Sequence, residues 1–172
     1  KNWPTIAYSD IPKDKMTVIF SPRSGNKMLD SYADMLGDSE KLATITLPFN
    51  IDGRFSKVLD TDTEALRYVM LNSGKKQSDF AEQFNRNEDD VIAAGAKFEN
   101  QWGQWLDEIH SGLNGSNVLY IHTKYLLKDP MGESPFLITG SANFSTNSTS
   151  TNDENMVLIP GGSFLMGSDK FY

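Results

Sequence analysis

Cysteine is absent from this chain of 172 residues. The absence excludes a disulfide framework, a zinc-thiolate site and a cysteine nucleophile together, and it leaves the compartment, cytoplasmic or secreted, open. Histidine is scarce: His110 and His122 are the two imidazoles available for any chemistry. Long apolar runs are missing as well. No stretch approaches the roughly 20 residues of a membrane span, and the opening "KNWPTIAYSDIPKDK" lacks the apolar block of a signal peptide. Cationic residues are the minority, 16 Lys and Arg against 23 Asp and Glu, and the net charge of −7 repels polyanions at long range. Strong nonspecific binding to nucleic acid is therefore disfavoured unless a local basic groove overrides the total.

What is present describes an ordinary soluble domain. Hydrophobic residues make up 38% and charged residues 23%, and the length suffices for one core. The chain starts at Lys1 without a methionine and stops at "GSFLMGSDKFY", where a new element could begin, so residues 1–172 are expected to be one domain cut from a longer protein.

Strand and helix patterns alternate along the first part. "MTVIFSP" (16–22) is a buried strand by its β-branched apolar run, and "GNKMLDSYADMLG" (25–37) spaces Met28, Leu29, Tyr32, Met35 and Leu36 as one face of a helix. "KLATITLPFN" (41–50) and "RYVMLN" (67–72) are the next strands, with "DTDTEAL" (60–66) expected to be helical between them. This order predicts an α/β fold with a largely parallel or mixed sheet. The middle, 74–116, is polar with scattered aromatics and is expected to mix helix with irregular connection. "NVLYIHTKYLLKD" (117–129) and "PFLITGSANF" (135–144) read as a hairpin around "PMGES", "STNSTSTN" (145–152) as a polar loop, and "ENMVLIPGG" (154–162) as a last strand.

The hairpin gathers the chemistry. On a strand, residues two apart share a face, so His122 and Lys124 point together, as do Ser141 and Asn143 in the next segment; the turn between them can bring the two faces side by side. A neutral imidazole can attack phosphorus, while an ammonium and a carboxamide donate hydrogen bonds to the non-bridging oxygens as charge builds in the transition state. Such a histidine needs its second ring nitrogen held by an acceptor, and Glu154 is the candidate. Asp129 lies an odd number of positions from His122, so it faces away and is expected to brace the structure through hydrogen bonds.

His122-x-Lys124-x-x-x-x-Asp129, followed by Gly140-Ser141-x-Asn143 and Glu154, resembles the H-K-D motif of the phospholipase D superfamily. "YIHTKYLLKDP…TGSANFS…NDENM" is similar in particular to the second motif of bacterial phospholipase D-like proteins that carry two copies. Ten residues separate Asp129 from Gly140 where six is usual, a departure that falls on the hairpin tip and not on its strands. The resemblance implies a mixed sheet flanked by helices and a ping-pong mechanism. One histidine attacks phosphorus to form a phosphohistidine, a second histidine from another motif protonates the leaving alcohol, and water or an alcohol then releases the product. It also implies that no metal or other cofactor is required, that His122, Lys124, Asn143 and Glu154 are catalytic, and that Asp129 and Ser141 support them. One copy of the set is then half a site. Its partner would be a second H-K-D half, from an upstream domain or from a homodimer mate.

The remaining motifs have plainer readings. His110, in "LDEIHSGLNG", suits a helix C-terminus, where its cationic form favours the dipole. "SPRSGN" (21–26) could present Arg23 to a phosphate, but the ordinary account is a helix capped by Ser24 with Arg23 in solvent. Phe98, Trp102 and Trp105 could touch an acyl chain or a base, and more ordinarily fill a core; "NRNEDD" (85–90) reads as a solvated helix start. The sequons at Asn114, Asn143 and Asn147 are accidental on this reading, because a glycan on Asn143 would block the site. Three functions follow: a phosphodiesterase or phosphatidyl transferase acting on a phospholipid, an endonuclease of the same superfamily, for which the acidity is unfavourable, and a catalytically silent assembly module.

Overall fold

The computed structural model describes residues 3–25, 27–48, 50–71, 88–94 and 121–162. Among the described residues seven strands form one sheet: β1 (Thr17–Phe20), β2 (Leu42–Leu47), β3 (Leu66–Leu71), β4 (Asp90–Ala94), β5 (Tyr125–Lys128), β6 (Phe136–Gly140) and β7 (Asn155–Pro160). Their spatial order is β1-β7-β6-β5-β2-β3-β4. The sheet is mixed: β2, β3 and β4 run parallel, whereas β1–β7, β7–β6, β6–β5 and β5–β2 are antiparallel. The expected hairpin is present as β5–β6, with Tyr125 opposite Thr139 and Lys128 opposite Phe136, but its first strand begins only at Tyr125, so His122 and Lys124 do not lie on it as expected.

Helices α1 (Lys27–Gly37), α2 (Gly53–Leu59) and α3 (Thr146–Ser150) cover one face. α1 buries Met28, Leu29, Tyr32, Met35 and Leu36, the stripe its spacing predicts. Tyr32 and Phe55 each meet the ring of Phe144 edge-on, at 5.5 and 5.9 Å between centroids, which joins both helices to the segment after β6. On the other face the register aligns Val18, Phe20, Ile159, Leu66, Tyr68, Met70 and Val91, each more than a third exposed.

Five local expectations are corrected. β1 is not a buried strand: it lies at the sheet edge, with Ile19 buried and Val18 and Phe20 exposed. Residues 60–65 are not helical; the helix lies earlier, at 53–59. Only there do Phe55, Val58 and Leu59 supply an i, i+3, i+4 apolar face, and Asp52 caps it by accepting from the Arg54 N–H at 3.0 Å. Arg67 then ends that helix, donating to the carbonyls of Val58, Leu59 and Thr61 at 2.6, 3.3 and 2.9 Å. Glu88–Asp90 is not a helix start: residues 88 and 89 form a turn, and Asp90 opens β4. The cause is a partner distant in sequence, since the buried Asp90 carboxylate grips the Arg67 guanidinium through two contacts of 2.5 and 3.0 Å. The polar stretch 145–152 contains α3, where Ser145 serves as N-cap for a turn with Ser148 and Thr149 buried. Finally, Arg23 is not in solvent. Trp3 runs beside it in a parallel bridge, and its Nη1 donates to the Pro4 carbonyl at 2.7 Å, while the Ser24 hydroxyl donates to Trp3. His110, Phe98, Trp102, Trp105, Asn114 and residues 85–87 lie outside the described residues.

Candidate active site

The antiparallel and parallel pairings bring several chain ends to one edge of the sheet. The C-terminal ends of β1, β2, β3, β4 and β6 lie there, together with the N-terminal ends of β5 and β7. Ligands in α/β sheets bind where such strand ends meet. At this edge stand His122 and Lys124 just before β5, Ser141 and Asn143 just after β6, and Glu154 just before β7.

His122 is exposed, whereas Lys124 is buried, with 6% of its surface accessible. The Lys124 ammonium turns back and donates to the main-chain carbonyl of His122 at 2.6 Å. Burial lowers the Lys124 pKa, and the negative charge of Glu154 nearby pushes it back up. The second effect marks Glu154 as within electrostatic reach of Lys124. Glu154 is itself fixed by its neighbours: its carbonyl accepts from the Ser21 N–H at 2.9 Å, and its carboxylate from Asn152 Nδ2 at 3.5 Å.

Ser141 ties β6 to β7. Its N–H donates to the Asn155 carbonyl at 2.9 Å and its hydroxyl accepts from the Asn155 N–H at 3.0 Å, beside Glu154. Gly140 permits this approach, since a Cβ there would fall 2.2 Å from the Asn155 carbonyl oxygen. Asn143 lies against Leu47, Pro48 and Asn50 at the end of β2. Its Oδ1 is buried with no hydrogen-bond partner among the described residues. Folded proteins rarely leave a buried carbonyl unpaired, which sets this oxygen apart from the rest of the described fold.

Alternation alone does not explain how these groups meet. Continuing the β5–β6 register sets Lys124 opposite Gly140, which would turn Ser141 and Asn143 to the other face of a regular strand. β6 ends at Gly140, however, and the irregular backbone beyond it carries Ser141 and Asn143. Asp129 stands apart, at the opposite end of β5. Its carboxylate accepts from the N–H groups of Glu40, Lys41 and Leu42 at 3.0, 2.8 and 3.0 Å and lies 3.7 Å from the Lys128 ammonium. Sequence reasoning missed Thr46 and Thr139, whose hydroxyls bond to the main chain around Lys124. Nothing in their local spacing marks them.

Among the described residues no helix is long and apolar enough to cross a membrane. The family model described as "Cardiolipin synthase, PLD-like domain" matches residues 62–166. No curated protein matches the sequence. Among solved structures, NucT from Helicobacter pylori is 12% identical, with 84% of each chain covered and a TM-score of 0.57. Nuc from Salmonella typhimurium, a phospholipase D family member, is 13% identical over 84% of this chain and 81% of that one, with a TM-score of 0.51. At such identities these two show a shared fold, and the family match spans more than half of the sequence: the chain belongs to the phospholipase D-like family, whose members are phosphodiesterases.

Proposed function

We propose that this domain is a phosphodiesterase or phosphatidyl transferase that works through a phosphohistidine on His122 and supplies one half of a two-motif site. The observation that carries the reading is an exposed histidine joined to a buried lysine: Lys124 Nζ donates to the His122 main-chain carbonyl and feels the charge of Glu154. The neutral imidazole attacks phosphorus, forming the N–P bond as the bond to the alcohol oxygen breaks, and that oxygen takes a proton from the second motif's histidine. Lys124 and Asn143 donate to the non-bridging oxygens, Glu154 holds the imidazole's other nitrogen, and Asp129 and Ser141 support the frame. Water or an alcohol then attacks the phosphohistidine and frees His122. The second half comes from an upstream domain of a longer chain or from a second copy across a two-fold axis.

A phospholipid is the favoured substrate. The matched family's description names cardiolipin synthase, and a net charge of −7 is unfavourable for a polyanion. The test combines solution mass by light scattering with cleavage of a chromogenic phosphodiester, a phospholipid and DNA, with His122→Ala and Glu154→Ala alongside. His122→Ala should abolish turnover and remove any acid-labile phosphate from the protein, while Glu154→Ala should lower turnover without unfolding the chain. Full activity in either variant refutes that residue's role, and cleavage of DNA but not lipid refutes the substrate.

A further inference from the structure

His122, Thr123 and Lys124 lie outside the regular sheet. The β2–β5 ladder runs through Ala43↔Lys128, Thr44↔Leu127 and Ile45↔Leu126 and stops there. At the next position a side chain takes over: the Tyr125 N–H donates to the Thr46 hydroxyl at 3.1 Å, and the same hydroxyl donates to the Thr123 carbonyl at 2.7 Å. Thr46 is buried, with 3% of its surface accessible. From the other neighbouring strand, the Thr139 hydroxyl donates to the Lys124 carbonyl at 2.9 Å. Two threonines thus do for this segment what a ladder does for β5 itself.

The consequence for the site is geometric. A hydroxyl has one proton to give and lone pairs to accept with, and Thr46 uses both functions on main-chain groups that flank Lys124. The carbonyl it holds belongs to Thr123, the residue between the imidazole and the ammonium. The Lys124 ammonium closes the arrangement by bonding to the carbonyl of His122, so a shift of the 122–124 backbone moves both functional groups together.

We propose that Thr46 is a positioning residue for the His122–Lys124 pair. Its hydroxyl, fixed on both sides, sets the path of the chain ahead of β5 and therefore where the imidazole and the ammonium stand. The effect on turnover rests on the phosphodiesterase reading above; the hold on the segment does not.

The test compares Thr46→Val, which keeps the shape and loses the hydroxyl, with Thr46→Ser, which keeps the hydroxyl. Amide hydrogen exchange read by NMR should show the Tyr125 N–H exchanging at least about tenfold faster in T46V, with the β6–β7 ladder unchanged and T46S close to the parent. With the chromogenic phosphodiester, T46V should lower kcat by about 100-fold while KM stays within about threefold, as expected when reacting groups are misplaced by a fraction of a bond length or more. T46S should restore kcat. Unchanged Tyr125 exchange in T46V, or equal damage in T46S, overturns the proposal, whatever the turnover of the parent chain. If T46V frees the amide but His122→Ala retains full activity, the phosphodiesterase reading fails and the role of Thr46 in holding the segment stands.

Discussion

Replacing Asp129 by asparagine isolates the charge of a buried brace. Asp129 adopts a left-handed backbone, φ 43°, which asparagine tolerates well, so the substitution introduces no new backbone strain. In the parent, Oδ1 takes the N–H groups of Lys41 and Leu42, the Glu40 N–H is shared between Oδ2 at 3.0 Å and Oδ1 at 3.2 Å, and Oδ2 faces Lys128. The substituted carboxamide can keep the first two bonds through its carbonyl oxygen, but as neutral bonds, a loss of about 1 kcal/mol each. Its NH₂ then faces the Glu40 N–H, which keeps only its longer contact with Oδ1, and the Lys128 ammonium, a loss of about 1 kcal/mol more. The sum is about 3 kcal/mol. The pH dependence has a definite sign. Burial raises the Asp129 pKa, but the N–H groups of Glu40, Leu42 and Lys41, aided by Lys128, outweigh it and leave the pKa below the ordinary carboxylate value. Stability from such a group is fully present above its unfolded pKa of about 3.9 and is lost as pH falls through the lower folded value. Urea unfolding followed by circular dichroism should therefore show the full gap between parent and Asp129→Asn near neutrality and a shrinking gap below about pH 4. A gap under about 1 kcal/mol at neutrality, or one that persists unchanged in acid, refutes this account.

Two further outcomes concern charge at other points of the sheet. Glu154 raises a Lys124 pKa that burial has lowered, so Glu154→Gln should move the alkaline limb of kcat/KM to lower pH; a limb that stays or moves up contradicts the coupling. Arg67→Met should cost about 3–5 kcal/mol in urea unfolding by leaving Asp90 buried and unpaired, and adding Asp90→Leu should recover much of it. A double variant no more stable than the single one would count against an unpaired charge as the cause.

The strands and the first helix were legible because each carries its own signal. β1, β2, β3, β6 and β7 are apolar or β-branched runs bounded by turn residues, and α1 repeats its apolar positions at helical spacing. The candidate set could be proposed for a similar reason: His122, Lys124, Asp129, Ser141, Asn143 and Glu154 sit at short, recognisable intervals. What escaped depends on partners far along the chain. Asp90 reads as one more polar residue until Arg67 faces it across β3 and β4, and Arg23 reads as solvated until Trp3 folds back beside it. Thr46 lies among ordinary strand residues, and only the meeting of β2 with the segment before β5 turns its hydroxyl into a support.

The strand order also bears on how the molecule is made. β1 and β2 are successive strands, joined through α1, yet β7, β6 and β5 stand between them in the sheet. β1 finds its neighbour only when Thr17 meets Leu158 and Phe20 meets Asn155, so nearly the whole chain must be synthesised before that edge can close. Contacts of such sequence separation slow folding, because the entropy of closing a long loop is spent before the contact forms. On the ribosome, the first two-thirds of the domain would wait with β1 and one side of β2 unpaired, and the late arrival of β5–β7 would complete the sheet and bring the candidate site residues to its edge in a single event.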